Sequence, residues 1–226
     1  MPKLIFKFDE DRDLLNIWET CNLGIRYGVD FSKNMSPKVM EICKNKKFEE
    51  SKEMLRKHLN QPARKELTKI SINAFNEAWN KINDEFFIRL TKIMKKPLCS
   101  SQFTAYITTV ARCPYNYNKE DPHFFVNLFK SIPHALENSA HEMMHIQFHN
   151  TYWQDVEKQI GKEKTPDLKE ALTVLLNIEF KDLWLVKDEG YAVHGELRSF
   201  IEKEWGKKPD FDVLMKRCIE YLKNKN

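Results

Sequence analysis

Glycine, paired cysteines and long apolar runs are all scarce in this chain. Only 6 of its 226 residues are glycine, and most of the first 96 residues show helical patterns after a short initial strand. The 5 cysteines are odd in number and form no CxxC pair, which argues against a disulfide framework and against a thiolate zinc site. No stretch approaches the roughly 20 apolar residues of a membrane span, and the start lacks a signal peptide. We therefore expect a cytoplasmic protein without a membrane partner.

An excess of charge of one sign is also missing. The net charge is only +4, and it arises from segments of mixed sign such as Lys44–Lys69. Such segments indicate a solvated surface and not a phosphate-binding stripe, so we expect no nucleic-acid partner. The hydrophobic content of 42%, with 15 Phe and 5 Trp, is ample for a globular core.

Apolar residues recur at helical spacing through the N-terminal part. The pattern predicts one helix over Asp9–Leu23, a second that starts at Ser36, a third over Phe48–Leu59 and a long amphipathic fourth after Pro62. These helices are most simply scaffold.

The segment Lys95–Ser101 interrupts this periodicity. It is the candidate boundary between a helical part, residues 1–96, and a catalytic part, residues 97–226; alternatively, both belong to one continuous domain with a cleft. Beyond it, Phe103–Val110 and His123–Phe129 are rich in β-branched and aromatic residues, which predicts two strands. An exposed edge there could hold an extended peptide. An ordinary hairpin packed on a helix fits the same pattern.

An HExxH motif, from His141 to His145, carries the strongest chemical signal. Ser131 as N-cap and Pro133 near the first helical position predict that the motif lies well inside a helix. Residues four apart share one helical face, so both imidazoles can reach one metal ion. Glu142 then lies where it can take a proton from a metal-bound water and pass it to a leaving amine.

A catalytic zinc ion usually has three protein ligands and one open position. The best third ligand is Glu170, on a helix predicted over Leu168–Phe180 with Thr165 as its cap. Glu170, Thr173 and Asn177 form the polar stripe of this apolar helix, so Thr173 and Asn177 are candidates for hydrogen bonds that orient a ligand. The alternative is that the stripe is the solvent edge of the helix.

Three further residues compete for a part in the site. His149 continues the four-residue spacing, but on a regular helix it lies about 12 Å along the axis from His141, too far to share an ion. Tyr191 and His194, which lie near a flexible glycine, are candidate donors to the oxyanion that develops during hydrolysis. A structural role for each of the two is the alternative.

The HExxH motif with Glu170 downstream resembles the gluzincin group of zinc metallopeptidases, over about Phe103–Arg198. The resemblance implies an α+β, mainly helical chain whose catalytic part is zincin-like, with a small β-sheet over the metal-binding helix. It departs from the group in two respects. Val174 stands four positions after the third ligand, where an acidic or polar residue is common, and a GxMEN aminopeptidase motif is missing, so exopeptidase action is unsupported.

Two functions follow from these observations. The first is a zinc-dependent hydrolase that cleaves a peptide or protein substrate, with His141, His145 and Glu170 as ligands of one zinc ion and Glu142 as general base. The alternative is a helical binding or regulatory protein with a structural metal site or none.

Overall fold

A computed structural model describes residues 1–225, which fold into a mainly helical α+β structure with one four-stranded mixed sheet. The strands are β1 (Lys3–Lys7), β2 (Gln102–Thr108), β3 (Tyr115–Asn116) and β4 (His123–Asn127). The helices are α1 (Glu10–Asn22), α2 (Pro37–Cys43), α3 (Phe48–Leu59), α4 (Pro62–Met94), α5 (Ile132–Thr151), α6 (Trp153–Leu172), α7 (Val174–Glu179), α8 (Gly195–Lys207) and α9 (Phe211–Asn224). Short 3-10 turns cover Phe31–Asn34 and Ala192–His194. The expected fold class, α+β and mainly helical, is confirmed.

The strand order in the sheet is β1-β2-β4-β3. β1 pairs with β2 and β2 with β4 in parallel, with Leu4 opposite Phe103 and Thr104 opposite His123. The hairpin interpretation of the two predicted strands is therefore wrong. Parallel neighbours need a crossover connection, and here that connection contains β3, which pairs antiparallel on the outer side of β4.

The N-terminal strand lies in the same sheet as the strands beyond residue 96. Two asparagines of α4 bind the outer edge of β1: Asn76 exchanges hydrogen bonds with the main chain of Phe6 at 3.0 and 3.2 Å, and Asn83 binds Leu4 and Pro2 at 3.4 and 2.9 Å. One core of buried side chains also includes residues from both sides of the proposed boundary. The division at residue 96 itself stays a prediction.

The N-terminal helices and α5 begin at the predicted residues. Asp9, Ser36 and Ser131 each cap a helix through a side-chain oxygen that accepts a backbone N–H three residues later. None of the described helices has the length and apolar character that a membrane crossing requires.

The start predicted for the helix of Glu170 is wrong. Gly161 has a φ of 83°, which interrupts α6, and the helical run resumes at the next residue, three positions before Thr165. Thr165 lies inside this run and donates its hydroxyl to the Gly161 carbonyl at 2.8 Å. The predicted helix is also divided, because α6 ends at Leu172 and α7 begins at Val174.

We expect Asn76→Ala to lower the free energy of unfolding by about 1–3 kcal/mol, because it leaves the main-chain N–H and C=O of Phe6 without partners. The control is Asn80→Ala, which changes an exposed asparagine of the same helix and should alter stability by less than about 0.5 kcal/mol. Urea denaturation measures both. Equal effects of the two substitutions would show that the asparagine does not hold β1.

Candidate metal centre

The HExxH motif lies in the middle of α5. The cap at Ser131 fixes the start of this helix, and His141 and His145 follow one turn apart on one face, with ring centroids 4.3 Å apart. Met143 and Met144 lie on the other side and are buried in the core. The buried methionines therefore hold the two imidazoles toward the second half of α6.

Glu170 of α6 faces both histidines. Its Oε2 lies 3.1 Å from His145 Nε2 and 3.5 Å from His141 Nε2. One ligand atom from each of the three residues lies within 4.8 Å of the other two. Two imidazole nitrogens and one carboxylate oxygen are the donor set of many catalytic zinc sites, so these residues could hold a zinc ion.

The ionisation of these side chains fits a metal. Burial and the Lys169 ammonium lower the pKa of His145 to about 3, so its imidazole is neutral near pH 7. Although burial acts in the opposite direction, the two histidines and Lys169 hold the pKa of Glu170 far below its usual value. Burial works against a charged His141, but the Asp188 carboxylate raises its pKa well above the ordinary value. A metal would therefore displace a proton from His141 only.

Asp188, in the loop after α7, is a site residue that sequence reasoning missed. Its Oδ2 lies 2.7 Å from His141 Nδ1, the hydrogen bond that orients a metal-binding histidine in many proteins. Arg198 lies on the other side of the carboxylate, with Nη2 at 3.2 Å from Oδ1. The sequence offered one signal, since Asp188 lies only three residues before the candidate Tyr191 and six before His194.

The polar stripe of the predicted helix faces this loop. Asn177 exchanges two hydrogen bonds of 2.8 Å with the main chain of Asp188. Thr173 donates to the Glu170 carbonyl at 2.8 Å and accepts from Arg198 at 2.9 Å. The solvent-edge alternative is wrong for Glu170 and Thr173, which are 6% and 0% exposed. Through these hydrogen bonds, the stripe links the loop that contains Asp188 to α6, the helix of Glu170.

Lys169 is a second residue that sequence reasoning missed. Its Nζ lies 2.6 Å from Glu170 Oε1 and 4.8 Å from the centroid of the Tyr115 ring. The two oxygens of Glu170 therefore have different partners, a lysine for Oε1 and the imidazoles for Oε2. Nothing in the local sequence distinguished Lys169 from an exposed lysine.

Two cavities meet at the HExxH motif and together form one cleft with two sides. A cavity of about 540 Å³ extends past Glu137, and a cavity of about 400 Å³ extends past Lys169. We call them the Glu137 side and the Lys169 side. His141, Glu142 and Tyr191 line both, so a substrate that reaches these residues has room in two directions.

Glu142 has the environment of a general base. Asn138, one turn earlier, donates from Nδ2 to Glu142 Oε1 at 3.4 Å. Burial raises the pKa of Glu142 to about 7, against the lowering effects of His141 and Lys169. A carboxyl group with a pKa near the working pH can both accept and return a proton.

The two candidate oxyanion donors lie in different places. Tyr191 lines the cleft, and its ring packs on Tyr27 at 4.9 Å between centroids. His194 is turned toward α6, where its Nε2 lies 3.0 Å from Asp167 Oδ1, and it lines a separate cavity. Only Tyr191 lies beside the HExxH motif.

His149 is held apart from the three candidate ligands. Its ring stacks between Tyr117 and Trp153, with centroid distances of 4.2 and 3.9 Å. α5 continues through this residue, so His149 lies where a regular helix places it.

We expect Asp188→Asn to weaken zinc binding by about 10- to 100-fold, because the amide is a poorer partner for His141 than a carboxylate. Glu189→Gln is the matched control, since this exposed neighbour makes no hydrogen bond or ion pair with a described histidine, and it should bind zinc as the parent chain does. Competition with a chelating dye measures both affinities. Equal zinc affinity in the two variants would contradict the role assigned to Asp188.

The substitution Gly190→Ala tests whether Arg198 holds the Asp188 carboxylate in position. Gly190 has a φ of +62°, and a Cβ there would lie 2.5 Å from Arg198 Nη1. We expect a loss of about 1–3 kcal/mol in the free energy of unfolding, together with weaker zinc binding. Gly206→Ala, in α8 with open space around it, should be neutral or slightly stabilising. A stable Gly190→Ala variant with full zinc affinity would refute this support.

No protein-family model matches this chain, and no curated protein or solved structure matches it either. The resemblance to gluzincins therefore stays a prediction. The geometry and chemistry of the site are the evidence for its function.

Proposed function

We propose that this protein is a zinc-dependent peptidase of the gluzincin type. One observation carries the proposal: a glutamate from a second helix places one oxygen against the Nε2 atoms of both motif histidines. The group contains three candidate ligands, whereas structural zinc sites usually have four protein ligands. This difference favours a catalytic ion over a structural one.

In this proposal His141, His145 and Glu170 would hold one zinc ion, which when bound would polarise the scissile carbonyl and activate a water molecule. Glu142 takes the proton of that water and returns it to the leaving amine. Tyr191 lines both sides of the cleft beside the motif and donates a hydrogen bond to the oxygen of the carbonyl. Burial and Glu170 raise its pKa, so the hydroxyl stays protonated. His194 has no part in this mechanism.

The arrangement of the sheet supports a zincin-like catalytic part. The antiparallel strand β3 ends the sheet, and the ring of its Tyr115 lies 5.4 Å from that of His145. An extended peptide could add to such an edge by main-chain hydrogen bonds and pass beside the motif. The two-sided cleft also favours a substrate that extends in both directions from the scissile bond.

The Glu142→Gln variant should keep its zinc and lose hydrolysis by a factor of about 100 to 10,000, because the amide cannot take a proton. Glu163→Gln, which changes an exposed glutamate of α6, is the control and should remain fully active. Metal analysis and the cleavage of a fluorogenic peptide mixture provide the two readouts. Undiminished hydrolysis by Glu142→Gln would refute the assignment of the base. A parent chain that takes up no zinc under replete conditions would favour the alternative binding or regulatory function.

A further inference from the structure

Glu137 stands out among the buried acids of the described chain. The others all have partners: Asp13 binds Thr108, Glu142 binds Asn138, Glu170 binds Lys169, and Asp188 binds His141 and Arg198. Glu137 is 8% exposed, yet its carboxylate has no hydrogen bond or ion pair with any residue between 1 and 225. Neither carboxylate oxygen is fully buried, so the largely buried side chain keeps its charged end in contact with solvent. This carboxylate lines the Glu137 side of the cleft, from which a partner could come.

A cation that carries hydrogen-bond donors would complement the Glu137 carboxylate. Burial and the neighbouring Asp188 carboxylate raise the pKa of Glu137 to about 7, and a cation beside it would favour the ionised form. Lys130 and Lys187 line the same cavity, but neither comes within the 4.0 Å of Glu137 that an ion pair requires. The described residues therefore provide no ion-pair partner for the Glu137 carboxylate.

A second metal ion fits this position less well. Glu137, His141 and Asp188 do bring ligand atoms within 4.8 Å of one another. However, His141 Nδ1 and Asp188 Oδ2 already bind each other at 2.7 Å. Only the Glu137 carboxylate is free, and one carboxylate suits an ammonium or guanidinium group.

The two sides of the cleft differ in net formal charge: four acids and two lysines line the Glu137 side, whereas three cations and two acids line the Lys169 side. The three cations are Arg26, Arg112 and Lys169, and Arg26 has no ion-pair partner among the described residues. A positively charged side chain is therefore favoured on the Glu137 side and disfavoured on the Lys169 side.

We propose that the Glu137 side of the cleft is a specificity subsite for a lysine or arginine side chain of the peptide substrate, with the Glu137 carboxylate paired to its cationic group. This inference rests on the proposed peptidase function and adds a substrate class to it. Since the carboxylate lies one turn before His141 on α5, the basic residue should lie close to the scissile bond.

The first test uses the unaltered, zinc-loaded chain and a mixture of random peptides, with the cleavage sites identified by mass spectrometry. We expect lysine and arginine to be enriched at one position within about two residues of the cut, on one side only. Cleavage without such enrichment would overturn the inference and leave the peptidase function standing. If no zinc-dependent cleavage occurs, the proposed function fails and the inference fails with it.

The second test compares two peptides that differ only by lysine or norleucine at that position. The parent chain should prefer lysine by about tenfold or more in kcat/KM, and Glu137→Gln should reduce this preference to about twofold while the norleucine peptide is cleaved as before. Glu189→Gln, an exposed acid of the same cavity, should keep the preference. An unchanged preference in Glu137→Gln would overturn the assignment, and Glu137→Asp provides a charged variant should the glutamine variant fold poorly.

Discussion

A buried carboxylate between two imidazoles is the constraint on which the rest of the site depends. Glu170 is 6% exposed, and an ionised group at that depth needs both charge and donors around it. His141 and His145 supply them on one oxygen and Lys169 on the other. α5 and the second half of α6 must therefore pack with these side chains in contact, although the residues lie far apart in the chain.

The loop after α7 adds further contacts that fix the position of His141. Asp188 orients His141, Arg198 balances Asp188, and Asn177 and Thr173 hold the loop and the arginine in place. Each of these four side chains has a hydrogen-bond or ion-pair partner, which is the condition for a buried polar network to be stable. The position of His141 is thereby fixed by the helix and by the loop together.

The charged groups that line the cleft are distributed unevenly between its two sides. Four acids and two lysines line the Glu137 side, whereas two arginines, one lysine and two acids line the Lys169 side. The net formal charge of the lining therefore differs in sign between the two sides, which meet at the residues proposed to carry out the reaction. Charge of this kind selects among substrates more than it increases affinity.

Local patterns were enough to predict the mainly helical class, the caps at Ser36 and Ser131, and the shared face of His141 and His145, since these depend on contacts within a few residues. The pairing of Glu170 with both histidines was a prediction whose geometry only the packing of α5 on α6 could decide. The parallel strand order and the parts of Asp188 and Lys169 were not predictable, because they depend on contacts between distant segments that leave no periodic signal in the sequence.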